Sequence, residues 1–358
     1  MHTRPILTVN LKTLCENYLY IKQYIQPVIP ACVLKNNAYG LGADIIGQAL
    51  YQTGVRDFFV AYACEGAILR TVAQKARIFI LQGFGEEERE LFTQHNLIPV
   101  LPNINTVHQW FKNPANSEKP ALQVETGLNR LGIHLEEINQ VTSYPFSLIL
   151  SHLACADECN HYLNERQKEN FKQFKSYFSD TLFSLSASDG VFLGKDFHFD
   201  MVRLGAALYG INTTPYTEKK VKNVLQVQAP ILQIQTVQGG ETIGYSATYT
   251  VKRPTKVATV SIGYADGIFR SFQEKGKLHL QTNEKIYTAP IIGRVSMDNI
   301  MCDVSDIPEQ ILAQTTYMTI IDDFYDLDAF GKDCNTIGYE VLNNIGHATR
   351  YIRKYIFE

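Results

Sequence analysis

The 358-residue chain contains 45% hydrophobic, 19% charged and 11% aromatic residues, enough apolar material for a large core and, at this length, for two domains. Lysine and arginine total 33 against 36 aspartates and glutamates, so the net charge is −3, and the absence of a basic run argues against a nucleic-acid-binding surface. We therefore expect a small-molecule partner.

The sequence predicts a cytoplasmic protein with no membrane association and no metal site. No apolar stretch approaches the ~20 residues that cross a bilayer, and the N-terminal Met-His-Thr-Arg-Pro lacks the layout of a secretory signal. The seven cysteines are scattered without the spacing of a zinc site. We expect reduced thiols, most of them in the core.

Short apolar runs alternate with segments of helical period from residue 31 to about residue 205. Eight runs are predicted to be strands: 31–35, 57–62, 77–83, 97–101, 121–126, 146–153, 182–188 and 198–205. Between them, apolar residues recur at helical spacing, as in 45–50 and 171–178. Eight strand–helix units predict a (β/α)8 TIM barrel in an α/β chain, with a doubly wound sheet as the alternative.

After about residue 222 the pattern changes to closely spaced strands without long helices. The predicted strands are 226–236, 243–251, 255–262, 277–282, 285–293, 300–304 and 316–321. The apolar run at 5–9 lies outside the eight-strand count, and we expect it to pair with this part of the chain. The prediction is a barrel domain over 10–222 and a mostly β C-terminal domain over 223–358, joined by the N-terminal strand 1–9.

Polar side chains lie at or just beyond the C-terminal ends of the predicted barrel strands, where the active site of such a barrel forms. They are Lys35, Arg130, His152, Ser188 and Arg203. A lysine drawn toward the barrel interior loses hydration, which lowers its pKa and frees the amine for Schiff-base chemistry. The alternative for Lys35 is a strand-end lysine that extends its amine into solvent.

Six segments, in order along essentially the whole chain, resemble motifs of the alanine racemase family. They are VLKNNAYGLG (33–42), ETGLNRLG (125–132), SHLACADE (151–158), HFDMVRLGAALYG (198–210), IGYADG (262–267) and GRVSMD (293–298). The resemblance implies a barrel followed by a β-domain, a pyridoxal 5'-phosphate cofactor and amino-acid racemase activity.

Carried over by position, the resemblance implies that Lys35 is the Schiff-base lysine and one of two acid/base groups, with Tyr264 as the other. Racemisation needs a base on each face of the α-carbon, because a proton removed from one side must return to the other. Tyrosine has a reference pKa near ~10, so it requires a cationic or hydrogen-bonded setting, which the family supplies through residues matching His152 and Arg203. Taken singly, Tyr264 would be an interface aromatic and His152 a core imidazole.

The resemblance places Arg203 against the pyridine nitrogen of the cofactor. A guanidinium keeps its proton, so it makes the ring a weaker electron sink and favours return of the proton to the α-carbon. A carboxylate at this position would instead suit a decarboxylase. If Arg203 were only structural, we would expect it to pair with a carboxylate such as Asp200.

The remaining matches concern the cofactor phosphate and the substrate. The phosphate-binding positions match Tyr39, Ser188, Gly205 and Ala206, and the substrate carboxylate would be bound by Arg130 and the backbone amide of Met297. In the family, the residues that match Tyr264 and Met297 come from the partner subunit. The resemblance therefore implies a head-to-tail homodimer with shared sites.

The sequence departs from the family pattern in three places, one of which is Leu41, at a position often taken by histidine. Gln123 stands where many members have a carbamylated lysine, so either the Gln123 carbonyl or a bound anion would position Arg130. Arg350-Tyr351-Ile352-Arg353 is similar to the closing arginine pair of the family, but Thr349 replaces the tyrosine that usually precedes it.

The predicted function is interconversion of L- and D-alanine, which supplies D-alanine for peptidoglycan. The open alternatives are a racemase of other or several amino acids, such as serine, lysine and arginine, a barrel-type decarboxylase, and a non-catalytic cofactor carrier. Arg203 argues against the decarboxylase. Tyr264 and Met297 argue against the carrier, because a carrier needs no second base.

Overall fold

The computed structural model describes residues 3–115, 117–212 and 221–357. The chain folds into two units, each built on a sheet of its own. The first unit comprises Cys15–Leu208 and Asn212–Val221, and the second comprises Met1–Leu14, Tyr209–Ile211 and Lys222–Glu358. In the described part of the chain, no helix is both long enough and apolar enough to span a membrane.

A nearly closed parallel barrel forms the first unit. Its eight strands, counted over the described residues, are Ile29–Val33, Asp57–Val60, Arg77–Ile80, Ile98–Leu101, Ala121–Gln123, Leu148–Leu150, Leu182–Ser184 and Met201–Leu204. Each of the first six strands pairs with the next along the chain, and the eighth pairs with the first. One bridge, between Ala187 and Arg203, joins the seventh and eighth strands. The predicted barrel is confirmed, and the doubly wound alternative is wrong.

The barrel strands are short and apolar because both of their faces are buried. The side chains that fill the barrel include Val33, Phe59, Phe79, Val100 and Leu150. The rings of Phe59 and Phe79 stack with centroids 4.6 Å apart and are completely buried. Burial of each such side chain contributes about 1.5–3 kcal/mol.

Helices connect most of the barrel strands. They are Ala43–Gln52, Ala63–Val72, Arg89–Gln94, Ile104–Lys112 and Tyr162–Gln173, and the chain's first helix, Leu11–Tyr24, contains the boundary between the two units. Asn103 caps Ile104–Lys112, since its side chain accepts a hydrogen bond from the Thr106 amide. The predicted helical stripe over 171–178 is only partly right, because the α-helix ends at Gln173 and a 3₁₀ turn, Phe174–Tyr177, follows.

The second unit is mostly β-structure. Its strands are Ile6–Asn10, Leu225–Val237, Thr242–Ile243, Tyr249–Thr250, Thr255–Val260, Lys277–Gln281, Ile286–Pro290, Ile300–Asp303, Tyr317–Ile321 and Ile352–Ile356. The N-terminal strand Ile6–Asn10 pairs antiparallel with Leu225–Val237 and parallel with Ile352–Ile356. The helices of this unit are Glu309–Gln314, Leu327–Asp333 and Gly338–His347.

The predicted strand over 243–251 is wrong. Two-residue strands, Thr242–Ile243 and Tyr249–Thr250, flank a 3₁₀ turn at Tyr245–Ala247. Gly244, Ser246 and Ala247 all have positive φ, which breaks an extended backbone. The tyrosines and threonines of this segment favour strands by composition, and the tertiary structure overrides that preference.

Candidate active site

Lys35 lies two residues beyond its strand, at the start of a left-handed turn. The first predicted strand, 31–35, is therefore shifted, because the observed strand Ile29–Val33 ends before the lysine. Asn36, Asn37, Ala38 and Tyr39 all have φ between 53° and 56°. Each such residue costs roughly 1–2 kcal/mol, least for asparagine, so surrounding contacts must hold the turn. Strain of this kind concentrates at functional sites.

The electrostatic surroundings of Lys35 favour its neutral amine. The side chain is exposed, yet the protein around the amine removes enough water to lower its pKa. The positive charge of Arg130 lowers the pKa further, and the carboxylate of Glu65 opposes both effects. A neutral amine is the nucleophilic form of lysine.

Glu65 supports the turn after Lys35, and the sequence prediction missed this residue. One carboxylate oxygen accepts a hydrogen bond from the Asn37 amide at 3.2 Å, and the other accepts from the amides of Ala61 at 2.7 Å and Tyr62 at 3.2 Å. The carboxylate thus ties the turn after Lys35 to the first turn of Ala63–Val72. A glutamate at the third position of a helix is a recognisable capping signal, but its reach to a second loop is not.

Arg203 is buried, and its contacts are to neutral oxygen and nitrogen acceptors. Nη1 donates to the carbonyl and hydroxyl of Ser184 at 2.9 and 2.6 Å, and Nη2 donates to the carbonyls of Ser151 and Leu185 at 2.6 and 3.1 Å. Among the described residues, Nε–H has no hydrogen-bond acceptor. This guanidinium donor is therefore available to a ligand. Burial lowers the pKa of Arg203 to about 10, so it stays charged at neutral pH.

The expected structural alternative for Arg203, an ion pair with Asp200, is wrong. The Asp200 carboxylate accepts a hydrogen bond from the Phe183 amide at 2.8 Å instead.

Three cationic side chains of the barrel act electrostatically on the His152 imidazole. Burial and the charges of Arg203, Arg130 and Lys35, in that order, lower its pKa to about 3. Arg203 Nη2 lies 3.3 Å from His152 Nδ1. Because arginine cannot accept a hydrogen bond, Nδ1 is the acceptor, and the proton of the neutral ring is on Nε2.

Gln167, on helix Tyr162–Gln173, holds the loop that carries His152. Its Nε2 donates to the His152 carbonyl at 2.8 Å and to Thr126 Oγ1 at 3.3 Å, while its Oε1 accepts from the Ala154 amide at 2.8 Å. Gln167 is completely buried. Sequence reasoning missed it, since a glutamine in a polar helical segment ordinarily faces solvent.

The loop that carries Arg130 is held from inside by a carboxylate. Glu125 accepts hydrogen bonds from the amides of Gly127 at 2.5 Å and Arg130 at 3.3 Å. Burial raises the pKa of Glu125, but hydrogen bonds from backbone amides of 127–130 outweigh it, and the pKa falls below its usual range. The Gln123 side chain donates from Nε2 to the Leu131 carbonyl at 3.0 Å. Gln123 therefore contacts the backbone of this loop.

A hydroxyl and amide cluster lies beside the eighth barrel strand. Ser188 Oγ accepts from the amides of Gly205 at 3.0 Å and Ala207 at 3.2 Å, at the start of the 3₁₀ turn Ala206–Tyr209. A side chain at Gly205 would place its Cβ 2.5 Å from the Tyr39 hydroxyl oxygen. Only glycine lets the Tyr39 hydroxyl approach the backbone this closely.

Tyr264 and Met297 lie in the second unit. Tyr264 begins a 3₁₀ turn, Tyr264–Asp266, and its ring is 42% exposed. The Met297 side chain is 52% exposed. In the single chain, both side chains are therefore accessible to another molecule.

Comparison with known proteins identifies the family. The alanine racemase N-terminal domain family matches residues 9–213, and the alanine racemase C-terminal domain family matches residues 224–355. The chain belongs to the alanine racemase family. The resemblance predicted from the six motifs is confirmed.

Individual alanine racemases match the chain over nearly its whole length. The alanine racemase of Rickettsia peacockii is 38% identical over 97% of this chain and 98% of its own, and the biosynthetic alanine racemase of Agrobacterium fabrum is 37% identical over 98% and 93%. The crystal structure of the Bartonella henselae alanine racemase, which has covalently bound pyridoxal phosphate, is 33% identical with a TM-score of 0.90, covering 99% of this chain and 100% of that one.

The residues of the barrel fit the cofactor of the alanine racemase family. Lys35 supplies an amine of lowered pKa, and the guanidinium of Arg203 has no carboxylate among its hydrogen-bond partners in the described residues. The hydroxyls of Tyr39 and Ser188 lie beside Gly205, and hydroxyls are neutral donors of the kind that bind phosphate. Among the residues that the structure covers, no cluster of three His, Cys, Asp or Glu side chains suits a metal ion.

Proposed function

We propose that this member of the alanine racemase family interconverts L- and D-alanine with pyridoxal 5'-phosphate bound to Lys35. The observation that carries the proposal is the convergence of charge on His152, whose pKa responds to Arg203, Arg130 and Lys35 together. These residues belong to four separate sequence motifs, and their proximity is what a single amino-acid and cofactor site requires.

In this proposal, two bases transfer the proton, one on each face of the α-carbon. Lys35 acts on one face of the α-carbon, and its lowered pKa raises the fraction of neutral amine, the form that accepts a proton. Tyr264 of the partner subunit acts on the other face. His152 donates from Nε2–H toward the phenol oxygen, and Arg203 fixes the ring in that tautomer.

Arg203 determines whether the proton removed from the α-carbon returns to that carbon. Bound pyridoxal phosphate withdraws electrons from the α-carbon of the substrate and so makes its proton removable. Arg203 would hold the ring nitrogen of the cofactor through a donor and would keep its own proton, so the withdrawal would stay weak. Return of the proton to the α-carbon is therefore favoured over transamination and decarboxylation.

The remaining site residues would bind and orient the cofactor and the substrate. Tyr39, Ser188, Gly205 and Ala206 would hold the phosphate through hydroxyls and backbone amides. Arg130 would bind the substrate carboxylate, since the paired N–H donors of a guanidinium match the two oxygens of a carboxylate. The backbone amide of Met297 of the partner subunit would assist it.

The assembly, the location and the pathway are parts of the same proposal. A head-to-tail homodimer would bring the exposed Tyr264 and Met297 of one copy to the barrel of another. All seven cysteines are unpaired, which supports a reducing compartment such as the cytoplasm. The D-alanine produced would supply peptidoglycan.

A racemisation assay tests the proposal. Purified chain with pyridoxal phosphate is given alanine, serine, lysine and arginine in separate reactions, and decarboxylation is monitored in parallel. We expect alanine to be racemised with the highest kcat/KM and no carbon dioxide to be released. Faster racemisation of another amino acid would assign a different substrate, and absence of racemisation would overturn the proposal.

A further inference from the structure

Two backbone hydrogen bonds join the turn that carries Tyr264 to the loop that carries Met297. The Tyr264 amide donates to the Ser296 carbonyl at 3.0 Å, and the Ala265 amide donates to the Met297 carbonyl at 3.1 Å. A Cβ at Gly263 would lie 2.4 Å from the carbonyl oxygens of Ser296 and Met297. The two segments are therefore in backbone contact, with no room for a side chain between them.

A buried carboxylate lies at the end of this turn. Asp266 is completely buried, and its Oδ2 accepts a hydrogen bond from the Gly263 amide at 2.9 Å. Burial raises the pKa of Asp266, while the Gly263 amide and the Arg350 charge oppose that effect. The Tyr351 hydroxyl donates to the Asp266 carbonyl at 2.8 Å. Asp266 thus fixes the turn through both its side chain and its backbone.

Arg350 connects the turn and the loop. Its Nε lies 3.2 Å from Asp266 Oδ1, and its Nη1 lies 2.7 Å from Asp298 Oδ1. The Nε contact is an ion pair without hydrogen-bond alignment, since Oδ1 has no aligned donor among the described residues. The arginine is held in turn by Arg4, whose Nε donates to the Arg350 carbonyl at 2.7 Å.

The two ion pairs of Arg350 differ in how strongly their loss would destabilise the fold. Asp298 is 55% exposed, so its pair with Arg350 contributes little to stability alone. Asp266 has no such access to water, and removal of its cation would leave an uncompensated buried carboxylate. The closing arginine motif is therefore connected, through carboxylates, to the segments that carry Tyr264 and Met297.

We propose that Arg350 is a positioning residue for the reaction, because it fixes the turn of Tyr264 and the loop of Met297 relative to each other through Asp266 and Asp298. This inference rests on the proposed function. A misplacement of about 1 Å costs on the order of 10²-fold in rate when a reacting group is involved. The effect of losing Arg350 should therefore fall on proton transfer, and cofactor binding through Lys35 should be unaffected.

The test compares Arg350→Gln, Arg350→Lys and Asp298→Asn in the full chain loaded with pyridoxal phosphate. Lys354→Gln is the matched control, since it removes the same charge from an exposed position on the strand Ile352–Ile356. Steady-state kcat and KM, bound cofactor, the melting temperature and exchange of the α-proton with solvent deuterium are measured. Exchange without inversion reports transfer by one base alone.

We expect Arg350→Gln to lower kcat by about 10- to 100-fold and to raise the ratio of exchange to racemisation, with cofactor content unchanged. Arg350→Lys should recover part of kcat, Asp298→Asn should have a smaller effect, and the control should match the wild type. If Arg350→Gln does not fold, the ratio of exchange to racemisation in Arg350→Lys and Asp298→Asn tests the inference instead.

Two results would overturn the inference. One is an unchanged kcat in Arg350→Gln, and the other is a fall in exchange and racemisation by the same factor. A wild-type chain that racemises no amino acid would overturn the proposed function, whereas an active wild type with fully active Arg350 variants would overturn this inference alone.

Discussion

Arg203 Nη2 donates a hydrogen bond to His152 Nδ1 at 3.3 Å, a contact between the ends of two barrel strands. It fixes the neutral histidine as the Nε2–H tautomer, because arginine has no acceptor atom. It also keeps a cation beside the imidazole, which opposes protonation of the ring.

The first prediction concerns the pH dependence of stability. His152 has a pKa lowered from 6.5 to about 3 in the folded chain, so between these values the unfolded chain binds more protons at this position. The free energy of unfolding should therefore fall as the pH decreases from about 6.5 toward about 3. Urea unfolding at several pH values should give a shallower slope for His152→Gln than for the wild type, and equal slopes would contradict the predicted protonation state.

Substitution of Arg203 should change the reaction as well as the stability. Arg203→Gln leaves the carbonyls of Ser151 and Leu185 short of donors, which costs about 1–3 kcal/mol for a buried group. Loss of the cation should also increase transamination relative to racemisation. Chromatography of the cofactor after many turnovers measures that ratio. Arg203→Lys retains the charge and should keep the ratio low, and a low ratio in Arg203→Gln as well would count against the role of the guanidinium.

Replacement of Tyr264 should separate the two bases. Tyr264→Phe removes the phenol hydroxyl from a half-exposed ring and should lower racemisation roughly 10²- to 10⁴-fold. Lys35 remains, so one enantiomer should still exchange its α-proton with solvent without inversion. Tyr245→Phe, at a more exposed tyrosine, is the control. Equal loss of exchange for both enantiomers in single-turnover experiments would contradict the assignment of two faces.

The Arg130 loop should depend on Glu125 for substrate affinity. Glu125→Gln keeps the shape of the side chain but weakens its hydrogen bonds to the amides of Gly127 and Arg130, so KM for alanine should rise several-fold. Amide hydrogen exchange of the loop should become faster. The exposed Glu136 provides the control, Glu136→Gln, for the same loss of charge. Unchanged KM and unchanged exchange would show that the carboxylate is dispensable.

The sequence predicted the barrel and the β-domain because their patterns are local. Apolar runs alternate with helical spacing, and this alternation indicates short buried strands such as Arg77–Ile80 with little ambiguity. The polar strand ends at His152 and Arg203 follow from the same pattern, and the structure places them in contact. Their catalytic roles stay predictions.

Other features required the folded chain. The left-handed turn after Lys35 is only partly signalled by its sequence, since Asn36 and Asn37 tolerate positive φ but Ala38 and Tyr39 rarely adopt it. The bond from Tyr351 to Asp266 joins residues 85 positions apart, so no spacing rule indicates it. Tertiary packing determines such contacts, and sequence patterns of helical or strand period do not.

The central claim is that the amine of Lys35 carries the cofactor. Borohydride reduction of the chain loaded with pyridoxal phosphate, followed by proteolysis and mass spectrometry, tests it directly. We predict that the added mass is found on the peptide containing Lys35, and that Lys35→Ala, reduced under the same conditions, carries none. Attachment at a different lysine, or no covalent attachment in the wild type, would contradict the account.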